Sequence, residues 1–215
     1  MSSWIDMTFV LVVVINLVLL ASSRLGAAIR AVALQGALLS LLALLLASPA
    51  HDLGHVLLVA GGALAIKAVF IPWLMFRAIR EAAIRREVEP LIGYVPSLLL
   101  GGAGVALAFA FSRGLPLPTP EMHTFLVPTA LSTVWTGLLL VVSRKKAVTQ
   151  VLGFLVLENG VFVFGLLLTD VMPVMVEAGV LLDLLAAVFV MGIVMFHINR
   201  EFSSLDTDVL ASLKD

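Results

Sequence analysis

The chain has 215 residues, 61% of them hydrophobic and 13% charged, with a formal net charge of −1, no cysteine and a mean hydropathy of +1.16. That balance excludes a soluble domain, whose surface would carry large apolar patches, and the absence of basic runs interleaved with aromatics excludes a nucleic-acid surface. Without cysteine the chain holds no disulfide scaffold, thiolate cluster or c-type haem attachment.

Apolar stretches of roughly 20 residues, the length a helix needs to cross hydrocarbon, recur without the alternation of a membrane barrel, and predict an all-α integral membrane protein. They fall at 4–22, 26–47, 54–77, 91–112, 124–142, 147–168 and 174–198, about seven transmembrane helices. The first has no basic stretch before it and continues through Ser22-Ser23-Arg24 into the second, so it reads as a span and not a cleaved signal. Basic residues cluster in alternate hydrophilic segments: Arg24 and Arg30; Arg77, Arg80, Arg85 and Arg86; Arg144, Lys145 and Lys146; Arg200 and Lys214. The other side has only Arg113. The positive-inside rule then places the N-terminus outside and the C-terminus in the cytoplasm. Prolines at 49, 116, 118, 120 and 173 mark the outer connections as compact turns. The mixed-charge stretch 77–89 is expected to prolong the third span as an interfacial helix, either simply solvated or contacting a cytoplasmic partner.

Sliding the chain by 120 residues aligns Ser23-Arg24 with Ser143-Arg144, and Phe76 and Arg80 with Phe196 and Arg200. The expected organisation is two parallel three-helix repeats joined by one extra helix: 1–90 with its cytoplasmic connector, a linking helix and outer loop at 91–123, and 124–215 with a cytoplasmic tail. In that register Asp183 meets Ala63, Lys67 meets Ala187, and Glu158 meets Leu38 with Gln35 one turn away. Carboxylates are thus confined to the second half.

Glu158 and Asp183 sit deep in the sixth and seventh runs. A charge at the bilayer centre costs roughly 3 kcal/mol on insertion scales, so such residues usually serve ion or proton movement. At a rise of about 1.5 Å per residue Glu158 lies about 16 Å from its helix end, beyond the reach of its side chain to the interface. A desolvated carboxyl exchanges protons near neutral pH when a nearby cation or water offsets its burial. The other reading is a neutral carboxyl hydrogen-bonded between helices as glue. Lys67, the one charge inside the third span, can supply the opposing cation, or can instead stretch toward the cytoplasmic interface. Five residues on, Pro72 frees the carbonyl of Ala68, which predicts a kink or hydration beside the lysine. His197 falls near the face of Asp183, as a proton exit or an interfacial anchor.

His51-Asp52-x-x-His55, with Glu121 and His123 elsewhere, is a weak metal pattern because the helical HExxH glutamate is missing. Gly101-Gly102-Ala103-Gly104 and Gly61-Gly62-Ala63 read as small faces for close helix contact, and Ser22, Ser23, Ser40 and Ser132 have no paired base to make them nucleophiles.

Arg144-Lys145-Lys146 leading to Gln150, Gly153 and Glu158-Asn159-Gly160, then Glu177, Gly179, Asp183 and Ala187-Val188, resembles component E of hydrogenase-4 type membrane-bound complexes, as does the tail from Leu205-Asp206 to Leu213-Lys214. The last third is also similar to the K-type subunit of respiratory complex I and the C-type subunit of multisubunit sodium/proton antiporters. The resemblance implies that Glu158 and Asp183 belong to an intramembrane polar path, to which the reading of the residues adds Lys67 and His197 as candidates, and that the redox cofactors lie elsewhere, none in this chain; no catalytic or metal-binding residue is expected in it. Nickel–iron and iron–sulfur centres would belong to partner subunits in a prokaryotic inner membrane, alongside antiporter-like subunits, a membrane anchor and hydrophilic redox subunits. Two functions stay open: a proton-coupling subunit, or a scaffold that positions antiporter-like subunits without conducting. A stand-alone transporter is disfavoured, since only one half is acidic.

Overall fold

The computed structural model describes residues 2–46, 53–81, 90–115, 125–167 and 192. In chain order they form α1 (Ser2–Ala21), α2 (Leu25–Leu46), α3 (Leu53–Leu64), a π-helical segment (Ala65–Phe70), α4 (Ile71–Glu81), α5 (Tyr94–Ser112), α6 (Leu126–Ser143) and α7 (Ala147–Leu167). Six helices are long and apolar enough to cross a membrane, the third running from Ala60 through the π segment to Arg77. They follow the first six apolar runs in order; the seventh run, 174–198, lies outside the described residues, as do 82–89 of the connector and most of the outer turns.

In hydrocarbon the backbone must satisfy its own polar groups, which leaves the helix as the conformation for these Leu-, Val- and Ala-rich runs. Pro96 and Pro128 are tolerated because each sits in the first turn of its helix, where amides have no intrahelical acceptor. Pro72 is interior, and here the chain adopts the π segment: the amide of Ile71 donates to the carbonyl of Ile66, five residues back, immediately before the residue with no amide to give. The widened turn is the fold's answer to that proline.

α1 touches α2, α5 and α6; α2 touches α7 and the whole α3–π–α4 span; α6 and α7 make the most intimate pair. At that seam a Cβ added to Gly160 would lie 2.6 Å from the amide nitrogen of Val134, and one added to Gly153 would lie 2.8 Å from that of Val141, so the two backbones approach as only glycine allows. Of the predicted glycine faces, Gly101 meets Leu20 and Gly104 meets the Trp135 ring, as their i, i+3 spacing permits. Gly102, a different face of the same helix, and the exposed pair Gly61 and Gly62 have nothing within 4 Å. Those three are not contact surfaces among the described residues.

The interior is layered. One apolar cluster includes Ile15, Leu19, Val32, Ile71, Leu140, Leu152 and Val156; the other includes Phe9, Val12, Leu39, Ala130 and Val163. Between them, on four helices at once, lie buried polar side chains: Asn16 on α1, Gln35 on α2, Thr133 on α6, and Glu158 and Asn159 on α7.

Candidate functional site

Lys67 enters this layer from the π segment. It is 7% exposed, and its Nζ stands 3.4 Å from Oε1 of Glu158, itself 3% exposed. The approach depends on Gly36, where a Cβ would meet the Lys67 Cβ at 2.8 Å. The lysine is therefore turned inward against α2 and α7 and does not stretch to the interface. Its ammonium also donates to Oδ1 of Asn159 at 3.3 Å and lies 4.8 Å from the centre of the Phe162 ring, a cation–π contact. Oε1 of Glu158 accepts no hydrogen bond among the described residues.

From Asn159 a chain of hydrogen bonds crosses the bundle. Asn159 Nδ2 donates to Gln35 Oε1 at 3.2 Å, Gln35 Nε2 to Asn16 Oδ1 at 2.9 Å, Asn16 Nδ2 to Thr133 Oγ1 at 2.8 Å, and the Thr133 hydroxyl to the Thr129 carbonyl at 2.7 Å. The polarity is dictated by the lysine. An ammonium has only donors, so Asn159 must present oxygen to it, which leaves nitrogen for Gln35, and the same logic repeats at each step. The result ties the π segment, α7, α2, α1 and α6 into one directional ladder.

Beside the pair lies a cavity of about 10 Å³ lined by Val32, Lys67, Ile71, Leu155, Glu158 and Asn159. That is close to the size of one water, in a wall with enough polar groups to hold it.

A second buried cation marks the end of the bundle where Arg24, Arg77 and Arg144 emerge. Arg144 is 1% exposed; it donates to the carbonyls of Leu20 at 2.8 Å and Ile92 at 3.1 Å and lies 4.8 Å from the Tyr94 ring centre. The Leu91 amide donates to Ser143 alongside it. This residue, counted in sequence among the basic residues of the hydrophilic segments, holds the C-terminal turn of α1 to the start of α5.

Of the residues singled out from sequence, Lys67 and Glu158 meet, and Gln35 is linked to Lys67 through Asn159. Asp183 and His197 lie outside the described residues, as do His51, Glu121 and His123. Among the described residues no three His, Cys, Asp or Glu side chains gather as a metal site. Sequence reasoning missed Asn16 and Thr133. The signal was available: Asn16 is the only amide in the first apolar run, and the cost that singles out lone charges in a membrane applies in milder form to lone amides.

No family model matches the chain, and no solved structure matches it. It is 37% identical over 193 residues to an uncharacterised protein of Mycobacterium tuberculosis, covering 89% of this chain and 87% of that one. It is 30% identical over 163 residues to hydrogenase-4 component E of Escherichia coli, covering 74% of each chain, and to the same component of Shigella flexneri at the same identity and coverage. With that identity over about three quarters of both chains, and six helices among the described residues long and apolar enough to cross a membrane, this protein belongs to the hydrogenase-4 component E family.

Proposed function

We propose that this chain is a membrane subunit of a hydrogenase-type, complex I-related redox-driven proton pump, in which Glu158 and Lys67 form one titratable segment of the intramembrane proton path. The observation that carries the reading is the Lys67–Glu158 ion pair, 3.4 Å apart and buried at the middle of the bundle beside a cavity of about one water's size. Buried ion pairs are weak devices for stability, because desolvation offsets much of their attraction, so a titratable pair at this depth favours a role in charge movement. Asp183 would continue the path on the next span and His197 would lie at its exit. The electron-transferring centres, the antiporter-like subunits and the membrane anchor belong to partners in the same inner-membrane complex. The N-terminus faces outside and the C-terminus the cytoplasm. Residues 124–215 act as the K-type-like module and 1–90 as an added repeat that supplies Lys67.

The test is proton pumping by the intact complex in liposomes. Glu158→Gln keeps the shape and removes the titration, and it should abolish most pumping while the complex assembles; Asp183→Asn should do the same. Unaltered pumping by both variants sinks the reading. A scaffold function is favoured by one specific observation, the glycine-dependent α6–α7 seam. Under it, Gly160→Leu would destroy assembly while Glu158→Gln leaves pumping untouched.

A further inference from the structure

The two members of the buried pair are not equally supported. Around Lys67 four features among the described residues favour positive charge: the Glu158 carboxylate, the oxygen of Asn159, the face of Phe162, and behind Asn159 a ladder in which Gln35 and Asn16 each turn their oxygen toward the lysine side. Amide dipoles aligned in a water-poor interior reinforce one another and act on the charge at their head. Around Glu158, Oε1 faces the same ammonium and receives no hydrogen bond among the described residues. Asparagine and glutamine do not themselves carry protons as a hydroxyl or carboxyl does, so the ladder is no proton wire. Its effect is on the charge at its end.

We infer that the Asn159–Gln35–Asn16–Thr133 ladder holds Lys67 as a permanent cation, so that Glu158 alone in the pair takes up and releases the proton. Asn159, Gln35 and Asn16 are positioning residues acting through Lys67. This rests on the proton-path reading above and assigns which group in it titrates. When the ladder is cut, the proton moves within the pair: an N–H bond of Lys67 breaks, an O–H bond forms on Glu158, and a neutral amine–carboxylic acid pair results.

The experiment is infrared spectroscopy of the intact complex in liposomes, following a carboxylic acid C=O band in the ladder variants, identified by its loss when Glu158→Gln is added to them and by its shift in D2O. At rest the wild type should show no such band. Gln35→Leu breaks the middle link and should raise the neutral-pair population by up to about tenfold, the scale of a lost hydrogen bond between neutral groups. Asn16→Val, one link further from the lysine and milder to the fold, should produce the same band more weakly. Lys67→Arg placed in either background should remove the band again, because a guanidinium cannot give up its proton. A merely structural ladder predicts no band and no rescue. A wild-type spectrum in Asn16→Val, or in Gln35→Leu where that variant assembles, overturns the inference. So does a band that persists with arginine at 67. Should Glu158→Gln and Asp183→Asn both pump normally, the proton-path reading fails instead, whatever the ladder variants show.

Discussion

Among the described residues two cations are buried, by different chemistry. Each lies 4.8 Å from the centre of an aromatic ring, and each is less than a tenth exposed. Arg144 meets backbone carbonyls at a helix end, where the dipole favours a cation, and its guanidinium stays charged at any physiological pH. Lys67 meets a carboxylate and an amide at mid-bundle, and its carboxylate partner can change protonation state. A cation held by fixed dipoles joins elements; a cation held by a titratable partner can serve the movement of a proton. The difference separates architecture from proposed function within one small bundle.

The sharpest way to break this comparison is to remove one half of the pair. Lys67→Met leaves Glu158 buried without its cation and should cost about 3–5 kcal/mol, read as a large loss of thermal stability of the complex in detergent. Lys67→Met combined with Glu158→Gln should recover most of that stability, since neither charge then stands alone, while pumping stays lost. Recovery of both together would show the pair to be architecture after all. Arg144→Met comes next. It forfeits two charge-assisted hydrogen bonds to carbonyls, for about 2–4 kcal/mol in the same assay, and what complex survives should pump at the normal proton-to-electron ratio.

How much of this could be read from the chain alone depended on how each signal is encoded. The six spans were legible because apolar length is local, and Glu158 and Lys67 were legible because a lone charge in an apolar run is costly wherever the run packs. Their meeting was not, because Lys67 and Glu158 are 91 positions apart and their contact depends on the π segment and on Gly36. Pro72 announced a disturbance but not its form: a proline can be met by a kink, by water or by a wider turn. The clamp made by Arg144 was not legible because its neighbours Lys145 and Lys146 make the segment look like an ordinary basic loop. Only the fold brings the carbonyls of Leu20 and Ile92 to it.

The α6–α7 seam sharpens the comparison from a third side, since it contains no charge at all. Gly160→Leu forces a side chain against the backbone of Val134 and the carbonyl of Ala130, and overpacking of this kind costs about 1–3 kcal/mol. Because Glu158 is two residues away on the same helix, the displaced backbone should also weaken its pairing with Lys67. Gly160→Ala is the milder version. A proportionate fall of stability and pumping across the two would tie the seam to the site, and a fall of stability alone would separate them.

The smallest effect is expected at the far end of the ladder, and it is the most discriminating. Asn16→Val removes two side-chain hydrogen bonds that are fully buried, to Gln35 and to Thr133. Between membrane helices such bonds contribute about 0.6 kcal/mol on average and up to about 1.7 kcal/mol, because the separated helices also find partners for their polar groups. Thermal stability should therefore fall by little more than that, well below the loss for Arg144→Met. If the loss equals or exceeds that for Arg144→Met, the ladder belongs with the arginine as a structural clamp. A small loss leaves the ladder's dipoles, pointed at Lys67 across three helices, as its main contribution.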